Sequence, residues 1–203
     1  MQRNSILKDL KYNSFLYEII EDYETILAAY GERIIKARKK YVERIMEFMP
    51  NILLGLTGKK ESINCIYKLE GLEEGSQEEI LEKLKNNRKE DIASGSTSIG
   101  PHRDDIEFLI NGINVRSFGS QGQQRSVVLA LKLSEAELMA EICGEKPIAL
   151  LDDVMSELDP TRQDYILNHI KDWQVFITCC EPSSIERLEG GKTFNIDNGT
   201  IKE

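Results

Sequence analysis

An apolar run that ends in two adjacent carboxylates, Pro147-Ile-Ala-Leu-Leu-Asp-Asp153, carries the most explicit chemistry in this sequence. In a parallel sheet ligands gather at the carboxyl ends of strands, and a carboxylate there suits Mg²⁺ held against the phosphates of a nucleotide. The pattern is that of a Walker B strand. Asp152 would orient the metal, usually through water, and Asp153 would accept a proton from the attacking water or orient it. An apolar run before two aspartates also arises by chance, so the neighbouring segments decide.

Upstream stands Gly119-Ser-Gln-Gly-Gln-Gln-Arg125, which opens directly into the helical run Ser126-Val-Val-Leu-Ala-Leu131. A serine and a glycine at a helix start leave backbone N–H groups pointing outward, a ready anion site. A phosphate fits there, and so does an ordinary N-cap in which Gly122 only relaxes the turn. Immediately after the carboxylates come Ser156-Glu-Leu-Asp159 and then Pro160, which starts a helix.

Other reactive side chains are less telling. His169 sits on a predicted helix and reads as a surface or packing residue. His102 stands beside Arg103, Asp104 and Asp105, but consecutive residues seldom converge on one ion, and a structural or joining role is the better reading. Cys65, Cys143, Cys179 and Cys180 form neither a CxxC pair nor a zinc spacing. They read as reduced, buried thiols.

The elements that must position these groups follow from the pattern. From Phe15 to Met49 apolar residues recur at three- and four-residue steps, predicting an amphipathic helix or a pair, with a break near Tyr30 beside Gly31 and a stop near Met49 before Pro50. The basic run Lys36, Arg38, Lys39 and Lys40 on it is a solvated face, with contact to DNA phosphate as the lesser alternative. A short apolar run, Ile52 to Leu56, and a strand-like segment, Ile63 to Leu69, suggest a small α+β cap. A helix is expected from Gln77 to about Asp91, with Ser76 as N-cap and Glu79 at N3. The small polar stretch 94–98 is the expected joint, dividing a helical arm and small α+β lobe (1–95) from a second module (96–203). That module reads as strand 105–110, a turn at Asn111-Gly112, helix 123–143, strand 148–151, helix 160–173, strand 174–178 and a hairpin, 193–196 with 200–202, around Asn198-Gly199. Strands alternating with helices indicate an α/β fold with a largely parallel sheet.

The whole-chain numbers agree. At 203 residues the chain can bury a core, and 40% hydrophobic with 30% charged residues excludes collagen-like, disordered and disulfide-scaffold classes. A net charge of −9 argues against the chain alone acting as a nucleic-acid clamp. The apolar runs are too short for a bilayer, the first ten residues lack a signal sequence, and the expected location is the cytoplasm.

The signature-like loop, the Walker B strand and the short acidic loop, in that order, resemble the ABC-type ATPase head of the SMC and RecF families. Gly100-Pro-His-Arg-Asp-Asp105, Phe118-Gly-Ser-Gln-Gly-Gln-Gln-Arg125 and Leu150-Leu-Asp-Asp-Val-Met-Ser-Glu-Leu-Asp159 narrow the resemblance to the RecF family. It is strong over the second module and weak over the arm. It implies an incomplete ABC-type head in which Ser120, Gln121, Gly122 and Gln123 meet the γ-phosphate of ATP held by the other subunit. Asp152 then orients Mg²⁺ and Asp153 is the catalytic base, standing where most ABC proteins have glutamate. The shorter base implies slow hydrolysis. Ser156 and Asp159 match the loop that crosses to the opposite subunit. The resemblance further implies an ATP-dependent self-dimer that binds double-stranded or gapped DNA, works with RecO/RecR-type mediators, and acts in replication, recombinational repair and the SOS response by helping to load recombinase.

The departures bear on activity. No Gly-x-x-x-x-Gly-Lys-Ser/Thr loop occurs in the sequence, so the chain is expected to be the C-terminal part of such a protein and to hydrolyse no ATP alone. The switch histidine of many ABC proteins is also missing after Val175-Phe-Ile-Thr-Cys-Cys180, leaving Thr178 as a stand-in. Two alternatives stay open: a non-catalytic protein-interaction fragment, and the head of another SMC-type structural ATPase, for which the arm is short.

Overall fold

The apolar pattern of the arm does not stop at Met49. In a computed structural model, which describes residues 2–10, 12–13, 15–58, 61–180 and 190–202, a short α1 (Gln2–Asp9) is followed by one 42-residue helix, α2 (Leu16–Thr57), that runs through both Gly31 and Pro50. Pro50 removes a rung of the helix, at a cost of about 3 kcal/mol. Beyond it Ile52, Leu53 and Leu56 are all buried, and burial of such side chains stabilises by roughly 1.5–3 kcal/mol apiece. Packing therefore outweighs the break, and the expected stop at Met49 is corrected to Gly58. There a left-handed φ of 62° and an N–H donated to the Leu54 carbonyl close the helix. Gly31 breaks nothing either. A Cβ at that position would lie 3.1 Å from Ile80 Cδ1, so the glycine permits close approach of the next helix.

After β1 (Ile63–Lys68), the helix expected at 77–91 is split into α3 (Gln77–Asn86) and α4 (Arg88–Ser94). Ser76 caps α3 as expected, its Oγ accepting the Glu79 N–H at 3.2 Å. Glu79 reaches back to the N–H groups of Glu73, Glu74 and Gly75 rather than to Ser76. Burial pushes its carboxyl up, but these three donors prevail and its pKa is lowered.

Strand β2 (Asp105–Ile110) pairs antiparallel with β1 from Ile63↔Ile110 to Lys68↔Asp105, and β3 (Ile113–Asn114) adds to its other side. Asn111 and Gly112 carry the positive φ values, 50° and 79°, that a two-residue hairpin demands. The β1–β2 ladder joins segments on either side of the stretch 94–98. The Gly100–Asp105 motif reinforces this joint. His102 and Arg103 both meet the Thr97 carbonyl, Asp104 accepts the Tyr67 hydroxyl at 2.5 Å and the Glu70 N–H at 3.1 Å, and Arg38 donates to the Pro101 carbonyl. Beneath it Arg3 is buried between Glu24 (2.9 Å), Asp91 (2.8 Å) and Thr97, which pins α1 to α2 and α4.

The second half contains α5 (Val115–Phe118), α6 (Gln121–Cys143), β4 (Ala149–Asp152), a 3-10 turn (Met155–Glu157), α7 (Pro160–His169) and β5 (Val175–Thr178), followed by the hairpin β6 (Asn195–Asp197) and β7 (Thr200–Lys202). The fold is α/β. Among the described residues the parallel part is the pair β4 and β5, in register from Ala149↔Val175 to Asp152↔Thr178. The main core sits where α2 crosses α6 and α7, with Ile45, Met49, Leu53, Val127, Ala130 and Ile166 buried together. Gly55 lets the Tyr165 ring lie on the α2 backbone, since a Cβ there would come 1.9 Å from the ring. Among the described residues, no helix is long and apolar enough to cross a membrane.

Candidate functional site

β4 and β5 run parallel, so their carboxyl ends emerge side by side and place Asp152, Asp153 and Thr178 together. Thr178 Oγ1 donates to Asp152 Oδ1 at 2.6 Å. The Asp153 N–H in turn points at Thr178, 3.1 Å from its hydroxyl and 3.2 Å from its carbonyl oxygen. One threonine thus fixes one carboxylate and the backbone of the next. Asp153 has a left-handed φ of 52°, an uncommon conformation for a residue with a side chain. Such strain persists only where surroundings impose it, and here it turns the chain sharply at the second carboxylate. Both aspartates are exposed.

Ser120 is the N-cap of α6. Its Oγ accepts the Gln123 N–H at 3.2 Å while Gln123 Oε1 accepts the Ser120 N–H at 3.0 Å, a complete capping box. Ser120 and Gln123 are therefore engaged with each other. Gln121 and Gly122 are exposed, and their N–H groups belong to the first turn, which has no intrahelical acceptor. These two positions offer an anion both donors and the positive end of a 23-residue helix dipole.

The acidic loop is tied to both ends. Ser156 Oγ donates to the Asp153 carbonyl at 2.9 Å. Asp159 caps α7 by accepting the N–H groups of Thr161 and Arg162 at 3.1 and 3.2 Å and also pairs with the Arg162 guanidinium. Its pKa is lowered chiefly by the Arg162 N–H, with burial opposing and the guanidinium reinforcing. Two arginines that the sequence did not single out complete the connection. Arg125 donates to the Glu157 carbonyl at 3.1 Å. Arg162 Nε donates to Ser126 Oγ, which itself donates to the Gly122 carbonyl at 2.8 Å. The position of Arg162 three residues after an N-cap aspartate, and of Arg125 one turn into α6, was the available signal.

A cavity of about 470 Å³ opens between α6 and the carboxylates, lined by Arg125, Val128, Asp152, Asp153, Glu157 and Leu158 among others. Among the described residues no group of three or more His, Cys, Asp or Glu side chains is placed to hold a metal ion. Asp152 and Asp153 fit a Mg²⁺ that keeps waters and takes its other ligands from phosphate, as that ion commonly does. His169 is a packing residue, as expected, between the rings of Tyr165 and Trp173 and 3.1 Å from Glu137.

No family model matches the chain. Curated relatives do. The DNA replication and repair protein RecF of Clostridium botulinum (strain ATCC 19397 / Type A) is 43% identical over 206 residues, covering 99% of this chain and 56% of the relative. RecF of Clostridium acetobutylicum is 42% identical, covering 100% and 56%. Among solved structures, the recombination mediator protein RecF with ATPrS, in the RecFOR pathway, superposes with a TM-score of 0.85 at 40% identity, covering 98% of this chain and 54% of that one. The corresponding structure with ATP gives 0.84 at 38% identity. The chain thus spans little more than half the length of the relatives it matches.

Proposed function

Because the chain belongs to the RecF family along nearly its whole length, we propose that it supplies the signature loop, Walker B strand and acidic loop of an ABC-type ATPase head acting in DNA replication and repair. The observation that carries this reading is the Thr178 clamp on Asp152 and Asp153 at the carboxyl ends of two parallel strands. Ligands collect at that edge of an α/β sheet.

In this reading Asp152 holds Mg²⁺, which when bound neutralises charge on the phosphates of ATP. Asp153 accepts the proton of the attacking water at its carboxylate, at the sharp turn just past the end of β4. Ser120, Gln121, Gly122 and Gln123 receive the γ-phosphate held by a second head. The first-turn N–H groups of Gln121 and Gly122 make the contact, and the capping box of Ser120 and Gln123 holds them in place. Ser156 and Asp159 position the loop that faces the second head. The assembled protein is a cytoplasmic, ATP-dependent dimer on double-stranded or gapped DNA. It cooperates with RecO/RecR-type mediators and favours recombinase loading.

The test is Asp153→Asn in a RecF-length protein carrying these residues. A general base contributes typically 10²–10⁴-fold, so turnover falls at least about 100-fold while ATP still binds. Unchanged turnover would remove Asp153 from the mechanism. A second reading, a protein-interaction fragment, draws on Leu150 and Phe176, which pair across β4 and β5 and are 74% and 56% exposed.

A further inference from the structure

Where α5 meets the start of α6, three carbonyl oxygens gather around one side-chain amide. Gln124 Nε2 lies 3.2 Å from the carbonyl oxygen of Val115, 3.2 Å from that of Gly119 and 3.5 Å from that of Arg116. A carbonyl oxygen only accepts, so the end of the side chain that faces all three is its NH₂ group, whose two hydrogens serve the two nearer oxygens. The Gly119 N–H closes the same turn on the Val115 carbonyl at 2.9 Å. Val115 itself is buried in the main core. No side chain fits at 119, since a Cβ there would lie 2.5 Å from that carbonyl oxygen. Gln124 therefore ties the first residue of the loop 119–123 to the core, one residue beyond the capping box of Ser120 and Gln123.

Resting on the reading of 120–123 as the loop that receives the γ-phosphate held by a second head, we infer that Gln124 is a positioning residue for that loop. Two tasks fall to it, and both call for an uncharged donor. The first is geometric. The capping box fixes Ser120 and Gln123 to each other at the start of α6, and the Gln124 amide supplies the further tie from α6 back to α5. The second is electrostatic. Three carbonyl oxygens beside an anion site carry the wrong sign for it, and the amide engages them, so that the first-turn N–H groups of Gln121 and Gly122 set the local field. Glutamate at 124 would have the same size but would meet these oxygens with no hydrogen to give. Methionine would keep the length and the neutrality and lose both donors.

The experiment compares a RecF-length protein carrying these residues with its Gln124→Met and Gln124→Glu variants, and with Ser120→Arg as the control for the loop itself. Without nucleotide, amide hydrogen exchange at 119–123 should quicken about fivefold in Gln124→Met, the equivalent of one lost neutral hydrogen bond, while the circular dichroism spectrum stays that of wild type. A fluorescent ATP analogue, at protein concentrations too low for dimers, should bind Gln124→Met as it binds wild type. The ATP concentration giving half-maximal dimer in light scattering should instead rise about tenfold, as a coupling of ordinary size between two sites would give. Gln124→Glu should match or exceed both effects. Unchanged exchange at 119–123 in Gln124→Met would overturn the proposal. So would faster exchange with dimerisation untouched while Ser120→Arg abolishes it, because the tie would then not serve the phosphate contact. A dimerisation defect confined to Gln124→Glu would assign the effect to added charge and reject positioning. If Ser120→Arg also leaves ATP-dependent dimerisation intact, the reading of 120–123 is what fails, and the role of Gln124 falls with it.

Discussion

Arg162 Nε donates to the buried hydroxyl of Ser126 at 3.0 Å, and this bond ties the acidic loop to the start of α6. From Asp159 the connection runs through the Arg162 guanidinium to Ser126 and on to the Gly122 carbonyl. Arg162 is thus a positioning residue for the first turn of α6. Arg162→Gln should speed amide hydrogen exchange in the first turns of α6 several-fold, and Asp159→Asn should do the same. Because both act on one connection, the double variant should exchange no faster than either single. Additive effects would show that the two residues act separately.

Asp159 should also mark the acid limb of stability. Its folded pKa is lowered, so its contribution is present above the unfolded carboxylate value of about 3.9 and is lost as pH falls through the folded value. Urea denaturation of wild type and Asp159→Asn should therefore differ near neutrality and converge below about pH 4. A gap independent of pH would contradict the assignment.

The Cys65 thiol is pushed up to about 11 by burial. Cys143 and Cys180, expected from the sequence to be buried, are exposed instead, at the end of α6 and just past β5. Since the thiolate is the nucleophile, a maleimide at pH 8 should label Cys143 and Cys180 well before Cys65, read by peptide mass spectrometry. The shift also favours the folded state below the unfolded thiol value of about 8.5, and that stabilisation fades as pH rises toward 11. Labelling of Cys65 as fast as the exposed thiols would refute this.

The buried Arg3–Glu24–Asp91 cluster predicts the largest single-residue effect on folding. Removing Arg3 leaves the buried Asp91 with no cation and Glu24 with Arg88 alone, a loss of about 3–5 kcal/mol. Arg3→Met should lower stability by that amount in urea melts, although α1 is only eight residues long. A loss below about 1 kcal/mol would mean that water replaces the guanidinium.

Local signals were readable in the sequence wherever local chemistry decides. Asn111-Gly112 and Asn198-Gly199 form their turns, Ser76 and Asp159 cap their helices, and the run before Asp152 is a strand pairing with the one before Cys179. The continuation of α2 through Pro50 was not readable, because it depends on Ile52, Leu53 and Leu56 meeting α6 and α7, which lie far away in sequence. Nor was the β1–β2 ladder, which joins segments separated by two helices and the polar stretch at 94–98. In the candidate site the carboxylates and the helix start were legible from residue type and spacing. The connection from Arg162 to Ser126 spans 36 residues, and no spacing rule reaches that far.

The most direct test of the half-head reading is light scattering of a RecF-length protein carrying these residues, with and without ATP and Mg²⁺, beside its Ser120→Arg variant. The predicted result is a nucleotide-dependent shift to a two-headed species that Ser120→Arg abolishes by placing a bulky side chain at the phosphate-facing helix start. ATP-dependent dimerisation unchanged by Ser120→Arg would contradict the assignment of 120–123 as the signature loop, and no nucleotide response at all would contradict the head itself.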